Sequence, residues 1–312
     1  MKKIFLLLFY IFSIAVAQTK FEFNTPVKIS ANPAKGFYWD YILYIPQSSN
    51  NNSSLFAIPN NTGKVNDSIL VHEKAAFKTI NQAKLVAEKL NSPILVPIFP
   101  RPVTNWQIYT HALDRDAMMT EISELKRLDL QLIAMIEDAK EIFNQNELNL
   151  DEKILMMGFS ASGMFTNRFV LLHPEIVKAA AIGSPGGLPI VPVAKFEGVP
   201  LRYPIGIDDV KEISGEPFNL TELRNVDLFF FLGAEDNNDS VIYRDSYEQE
   251  DEDLIMNYFG KTLQERWDVC KKIYEKEDLS NSKFVLYEGV GHQINNQIIE
   301  DLLKFFGKAL QK

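Results

Sequence analysis

The feature that most constrains this chain is a repeated alternation of short apolar runs with longer amphipathic runs. Residues 93–99 are continuously apolar, and they follow a stretch, residues 69–90, whose apolar side chains recur at helical spacing. Further strands are predicted at 38–46, 54–59, 153–157, 179–182, 227–232 and 283–287, and further helices at 122–143, 162–173, 248–276 and 296–309. Because fully apolar strands are buried on both faces, the pattern predicts a doubly wound α/β fold with a mostly parallel sheet. Ligands of such folds bind at the carboxyl ends of the strands.

One long segment interrupts the alternation. Residues 185–225 are rich in proline and glycine and lie between two predicted strands. The segment also carries large apolar side chains, including Phe196, Leu201, Tyr203 and Ile205. Such content favours a packed lid or cap insertion over a loose loop.

The N-terminus has the composition of an export signal. Lys2 and Lys3 precede an apolar run, residues 4–14, and a small-x-small sequence ending at Ala17. We therefore expect residues 1–17 to be a signal peptide cleaved before Gln18, and the protein to be secreted or periplasmic. The apolar run is shorter than the roughly 20 residues that span a bilayer, so no stable membrane insertion is expected after cleavage. The remaining residues, 18–312, are predicted to form a single α/β domain, since no Gly/Ser-rich or Pro-rich linker divides them.

Charge and cysteine content exclude several classes of function. The formal charge is −9 and the chain has no Lys/Arg cluster, so nucleic-acid binding is not expected. Cys270 is the one cysteine, so no intramolecular disulfide is possible, and its apolar surroundings predict a packed, inert thiol.

The most informative motif is the sequence GFSASG at residues 158–163. It follows an apolar strand and precedes a predicted helix, which is the context of a nucleophile elbow with Ser160 as the nucleophile. The usual pattern is G-x-S-x-G, whereas this chain has Ser162 in place of the second glycine and Gly163 directly after it. Serine is small enough to fit a sharp strand-to-helix turn. The alternative is an ordinary helix start, with Ser160 or Ser162 as the N-cap.

A serine hydroxyl needs a base to become a nucleophile. In folds with a nucleophile elbow between a strand and a helix, the base comes after the serine along the chain. His292 follows the last predicted strand in a glycine-containing loop and is the predicted base. His173 lies at the far end of the helix that begins at the elbow, roughly 18 Å away at about 1.5 Å per residue. His72 and His111 precede the serine, although His111 is a candidate for substrate contact.

The acid that orients the base is expected after strand 227–232. Asp236 stands three residues after Gly233, whose conformational freedom permits the turn toward the imidazole. Glu235 and Asp239 lie in the same loop and are rival candidates.

Two backbone N–H groups are expected to stabilise an oxyanion. Ala161 begins the helix after the elbow, where the helix dipole adds to its N–H. The second donor is expected in the loop after an earlier strand, which we take to be the strand at 94–98. Pro100 and Pro102 have no N–H, so Phe99 or Arg101 would donate, and Phe99 is preferred.

With these residues located, the chain resembles the α/β-hydrolase superfamily over nearly its whole length. Residues 158–185 are similar to the esterase and polyhydroxyalkanoate-depolymerase-like branch. The resemblance implies a serine hydrolase that cleaves small-molecule or polymeric carboxylic esters through an acyl-enzyme, with no metal or organic cofactor. A serine peptidase with the same fold and a non-catalytic binding protein that keeps the fold are the alternatives.

Overall fold

The computed structural model describes residues 22–312, so the predicted signal peptide lies outside the described residues. The strands are β1 (Val27–Ile29), β2 (Tyr41–Tyr44), β3 (Phe56–Ala57), β4 (Ile94–Pro97), β5 (Ile154–Phe159), β6 (Val177–Gly183), β7 (Lys195–Phe196), β8 (Val199–Pro200), β9 (Asp227–Gly233) and β10 (Ser282–Tyr287). The α-helices are α1 (Ile69–Leu90), α2 (Arg115–Met119), α3 (Leu128–Gln145), α4 (Ala161–Leu172), α5 (Val210–Ser214), α6 (Leu220–Leu223), α7 (Gln249–Tyr258), α8 (Leu263–Lys276) and α9 (Asn296–Ala309).

Eight of the strands form one sheet in the order β1-β2-β4-β3-β5-β6-β9-β10. The pairs β1/β2 and β2/β4 are antiparallel, and every other neighbouring pair in this sheet is parallel. This confirms the predicted doubly wound, mostly parallel architecture. The loops after β3, β5, β9 and β10 consequently leave the sheet at the same edge.

Helices cover both faces of the sheet. On one face, α1 and α9 pack over an apolar cluster that includes Phe56, Phe231 and Phe306. On the other face, α3, α4 and α8 share a larger cluster that includes Phe165 and Trp267. The loops at the carboxyl edge of the sheet are thereby fixed on two well-packed layers.

The observed helix bounds agree closely with the predicted ones wherever the sequence carries a residue that ends a helix. Helix α1 ends at Leu90 and is capped by Asn91, which has a φ of 54° and donates its N–H to the Ala87 carbonyl. The predicted helical region at 248–276 is two helices, because Gly260 has a φ of 124° and Thr262 begins α8 with a capping box to Glu265. Helix α3 begins later than expected, since Arg127 before it has a φ of 50°.

The insertion between β6 and β9 is packed, as its composition predicts. It contains a two-stranded hairpin, β7/β8, and the short helices α5 and α6. Leu188, Val191, Leu201, Tyr203 and Ile205 are buried in the larger apolar cluster. The segment is therefore part of the folded core on that face of the sheet.

Among residues 22–312, no helix combines the length and the apolar content that crossing a bilayer would require.

Candidate active site

Ser160 lies in a sharp turn between β5 and α4. Its φ and ψ are 61° and −128°, and its N–H donates to the Gly183 carbonyl at 2.9 Å. A Cβ on Gly158 would lie 1.9 Å from the Ser162 carbonyl oxygen, so only glycine fits there. A non-glycine residue with such angles carries roughly 1–3 kcal/mol of strain, and strain of this kind occurs mostly at functional sites.

The departure from the usual elbow pattern has a physical explanation. The hydroxyl of Ser162 folds back, accepting from the Phe159 N–H at 3.0 Å and lying 2.9 Å from the Phe159 carbonyl. The close approach between α4 and β6 falls one residue later, at Gly163, where a Cβ would lie 2.5 Å from the Gly183 carbonyl oxygen. Position 162 therefore has room for a serine side chain, and position 163, which has no room for a side chain, is a glycine.

This geometry predicts opposite effects for the same substitution in two helices. Gly163→Ala should lower the free energy of unfolding by about 2–4 kcal/mol, because backbone cannot move away from the new methyl group. Gly307→Ala in α9, where a Cβ would contact nothing within 4 Å, should raise it by about 0.5–1 kcal/mol. Urea unfolding of both variants measures the difference, and equal effects would contradict this account of the elbow.

His292 follows β10 and bonds to the carboxylate of Asp236, which follows β9. The Nδ1 of His292 lies 2.8 Å from Asp236 Oδ2, so we place the ring proton on Nδ1, which leaves Nε2 as an acceptor. The Asn238 N–H donates to the second Asp236 oxygen, Oδ1, at 2.9 Å, and the Ser184 hydroxyl also donates to this carboxylate. The side chain of Asp236 is therefore held in one orientation beneath the imidazole.

Two opposing effects set the pKa of Asp236. Burial would raise it, but hydrogen bonds from His292, the Asn238 backbone and Ser184 outweigh burial and hold the pKa below its ordinary value. Asp236 is consequently ionised at neutral pH. An ionised carboxylate at this position stabilises a protonated imidazole.

The two rival carboxylates have other environments. Both oxygens of Asp239 accept from the guanidinium of Arg266, each at 2.8 Å, and Arg266 is fully buried. Glu235 is exposed. Of the three predicted candidates, Asp236 is the one that contacts His292.

The other nitrogen of the imidazole is also engaged. The side-chain amide of Asn238 lies 3.2 Å from His292 Nε2, and the ring of Phe159 lies 4.7 Å from the imidazole ring. Ser160 and His292, both in the described part of the chain, are not hydrogen-bonded to each other. The amide of Asn238 thus takes the acceptor site that a serine nucleophile needs, a role that no sequence signal indicates.

The prediction for the second oxyanion donor needs correction. The Phe99 N–H donates to Asn60 Oδ1 at 3.1 Å, and the Arg101 N–H donates to His72 Nε2 at 3.2 Å. Neither of these N–H groups in the loop after β4 is therefore free to donate to an oxyanion. Ala161, in contrast, opens α4, and the first N–H groups of a helix have no acceptor within it.

The loop next to the elbow follows β3, because β3 and not β4 pairs with β5. Within this loop, the side-chain amide of Asn61 lies 3.5 Å from the Phe159 carbonyl. The two-residue length of β3 explains why sequence reasoning assigned the donor to the longer apolar run at β4. The Pro-Asn-Asn sequence after β3 was the signal that could have located this loop.

The remaining histidines and the cysteine have structural environments. His111 is fully buried, burial lowers its pKa to about 3, and its Nε2 lies 2.8 Å from the Phe99 carbonyl. His173 pairs with the buried Asp129 at 2.8 Å. Burial raises the pKa of the Cys270 thiol, whose Sγ lies 3.4 Å from the Pro189 carbonyl.

Across residues 22–312, no group of three or more His, Cys, Asp or Glu is arranged to hold a metal ion.

The strand order, the strained serine between a strand and a helix, and the loops after β9 and β10 define the α/β-hydrolase fold. Solved structures share this fold. Poly(aspartic acid) hydrolase-1 from Sphingomonas sp. KT-1 is 13% identical with a TM-score of 0.62, covering 92% of this chain and 100% of its own. A poly(3-hydroxybutyrate) depolymerase from Bordetella parapertussis is 14% identical with a TM-score of 0.53, covering 86% of this chain and 84% of its own.

A third solved structure, an S-formylglutathione hydrolase from Agrobacterium tumefaciens, is 12% identical with a TM-score of 0.50, covering 91% of this chain and 94% of its own. No protein-family model matches the chain, and no curated protein sequence matches it. At these identities the likeness establishes the fold.

Proposed function

We propose that this protein is a serine hydrolase that cleaves carboxylic esters, with Ser160 as nucleophile, His292 as base and Asp236 as acid. The observation that carries the proposal is the 2.8 Å contact between His292 and Asp236 at the sheet edge where Ser160 stands on its strained turn. These residues come from three separate loops, and no structural need of the fold explains a partly exposed imidazole paired with a buried carboxylate.

In the first chemical step, His292 Nε2 accepts the Ser160 hydroxyl proton while the serine oxygen bonds to the ester carbonyl carbon. The carboxylate of Asp236 keeps the Nδ1 proton in place and stabilises the imidazolium that forms. The amide of Asn238 must leave Nε2 before this step, since one lone pair cannot accept from two donors. Substrate binding supplies the displacement, and catalytic hydrogen bonds commonly form only in the complex.

The carbonyl oxygen becomes an oxyanion in the tetrahedral intermediate. We assign its donors to the N–H groups of Ala161, at the start of α4, and of Asn61, in the loop after β3. Collapse of the intermediate breaks the bond to the alcohol, which leaves with the proton from His292. Water then attacks the acyl-enzyme, with His292 as base, and releases the acid and free Ser160.

The names of the solved neighbours include both kinds of bond: the poly(aspartic acid) hydrolase is named for a polymer joined by amide bonds, and two others are named for esters. These two are the poly(3-hydroxybutyrate) depolymerase and the S-formylglutathione hydrolase, and the substrates in those names are an oxygen ester and a thioester. Amide cleavage must protonate a poorer leaving group than ester cleavage. We therefore expect ester hydrolysis to be the main activity of the site.

Hydrolysis of p-nitrophenyl acetate and of an aminoacyl p-nitroanilide by the purified protein tests this proposal. We expect kcat/KM for the ester to exceed that for the anilide by at least about 100-fold, as leaving-group chemistry demands. A preference for the anilide would identify a peptidase. Turnover of neither compound by folded protein would favour the non-catalytic alternative.

We also propose that residues 1–17 direct export and are removed. Intact mass of protein recovered from the medium or periplasm should correspond to a chain that begins at Gln18. Recovery of the chain from the cytoplasm with Met1 still present would contradict this proposal.

A further inference from the structure

A pocket of about 530 Å³ lies beside the elbow, on the sheet face that α1 and α9 cover. Its size falls within the roughly 300–1,000 Å³ of small-molecule sites. Phe56, Val86 and Leu302 are among the side chains that line it, and none of its lining residues carries a charge. The pocket therefore suits an uncharged and mainly apolar ligand, since a buried charge without a partner is strongly disfavoured.

One wall of the pocket is a single face of α1. Thr79, Gln82, Ala83 and Val86 line it, and their spacing of three, four and seven residues places them on one side of the helix. The Thr79 hydroxyl donates to the Ala75 carbonyl of its own helix, so it presents its methyl group as an apolar surface. The α1 wall therefore offers a bound ligand space and apolar contact.

The other end of the pocket meets the candidate active site. Phe159 lines the pocket, and its ring also lies 4.7 Å from the imidazole of His292. Asn61 lines the pocket too, and its side-chain amide lies 3.5 Å from the carbonyl of Phe159, the residue before Ser160. Phe159 and Asn61 therefore connect the pocket to the candidate active site, while Ser160 and His292 are not themselves among the lining residues.

We propose that this pocket is the acyl-chain site, and that the preferred substrates are esters with an uncharged aliphatic or aromatic acyl group of medium length. The inference rests on the proposed ester hydrolysis and specifies its substrate class. The pocket borders the loop of Asn61, where the carbonyl oxygen binds, so the group that enters it is the one attached to the carbonyl carbon. The alcohol lies instead on the open side of His292, which must protonate it.

Chain-length kinetics test the site. For p-nitrophenyl esters from acetate to octanoate, kcat/KM of wild type should rise by about threefold for each methylene that enters the pocket. Ala83→Trp should fill the pocket, lowering kcat/KM for octanoate at least about 20-fold while leaving acetate within about threefold. Leu85→Trp is the matched control, because Leu85 is on the same helix but 56% exposed and outside the lining. The dependence of kcat/KM on acyl chain length should be the same in Leu85→Trp as in wild type.

A second measurement uses the wild-type protein and does not depend on the folding of a variant. A p-nitrophenyl octylphosphonate should form an adduct with Ser160 by losing p-nitrophenol, and a crystal structure of the adduct should show the octyl chain between α1 and α9. A chain that lies elsewhere, or a wild-type profile flat from acetate to octanoate, overturns the acyl-site inference while ester hydrolysis stands. Absence of turnover and of adduct with every ester overturns the proposed function, and the inference with it.

Discussion

Replacement of Ser160 by alanine is expected to lower kcat/KM for a short p-nitrophenyl ester by about 10⁴-fold or more. No other group in the proposed mechanism can form the acyl-enzyme, and removal of a triad nucleophile has effects of this size in unrelated hydrolases. The side chain of Ser160 is small and only half-buried, so the free energy of unfolding should change by less than about 1 kcal/mol. Initial rates and urea unfolding on the same preparations measure both quantities.

Ser68→Ala provides the matched control for this experiment. Ser68 is exposed, precedes α1 and makes no side-chain capping bond, so loss of its hydroxyl should leave kcat/KM within about twofold. Retention of activity within tenfold by Ser160→Ala would show that the nucleophile lies elsewhere. Loss of activity with loss of the folded state would point instead to a structural role for the elbow serine.

The second large effect is expected for Asp236→Asn, which should reduce kcat by about 10³–10⁴-fold. An amide at this position no longer favours the tautomer with the proton on Nδ1 of His292, and it cannot stabilise the imidazolium. Asp239→Asn should instead lower stability and largely keep activity. It removes a charge that pairs with the fully buried Arg266, so the free energy of unfolding should fall by about 2–3 kcal/mol while kcat stays within about tenfold.

The comparison of these two variants separates catalytic from structural carboxylates three residues apart. Far-UV circular dichroism at low temperature verifies that both variants are folded before kinetics are measured. If Asp239→Asn loses turnover and Asp236→Asn keeps it, the acid assignment is wrong.

Much of the fold could be predicted from the sequence, because local patterns agree with the final structure. The bounds of α1 and α9 follow from apolar spacing and from end signals such as Asn91, and the apolar runs of β4, β5, β6 and β9 report burial on both faces. Elements that depend on tertiary contacts, such as the two-residue strand β3, carry too few residues to show a period.

The candidate site was predictable to the extent that it depends on position along the chain. The positions of Ser160, Asp236 and His292 after β5, β9 and β10 follow from sequence, and the contact between His292 and Asp236 agrees with them. The error at Phe99 arose because the spatial order of the strands places β3, not β4, beside the elbow. The bond between Asn238 and His292 depends on side-chain orientation, which spacing does not encode.

The intact mass of the protein after treatment with a fluorophosphonate tests most directly whether Ser160 is an activated nucleophile. Such a reagent reacts with a serine only when a base activates it. We expect one adduct on the wild-type protein, located at Ser160 by peptide mapping, and none on Ser160→Ala or His292→Ala. A wild-type protein that is folded and stays unlabelled, or an adduct that persists in Ser160→Ala, would contradict the assignment of Ser160 as the nucleophile.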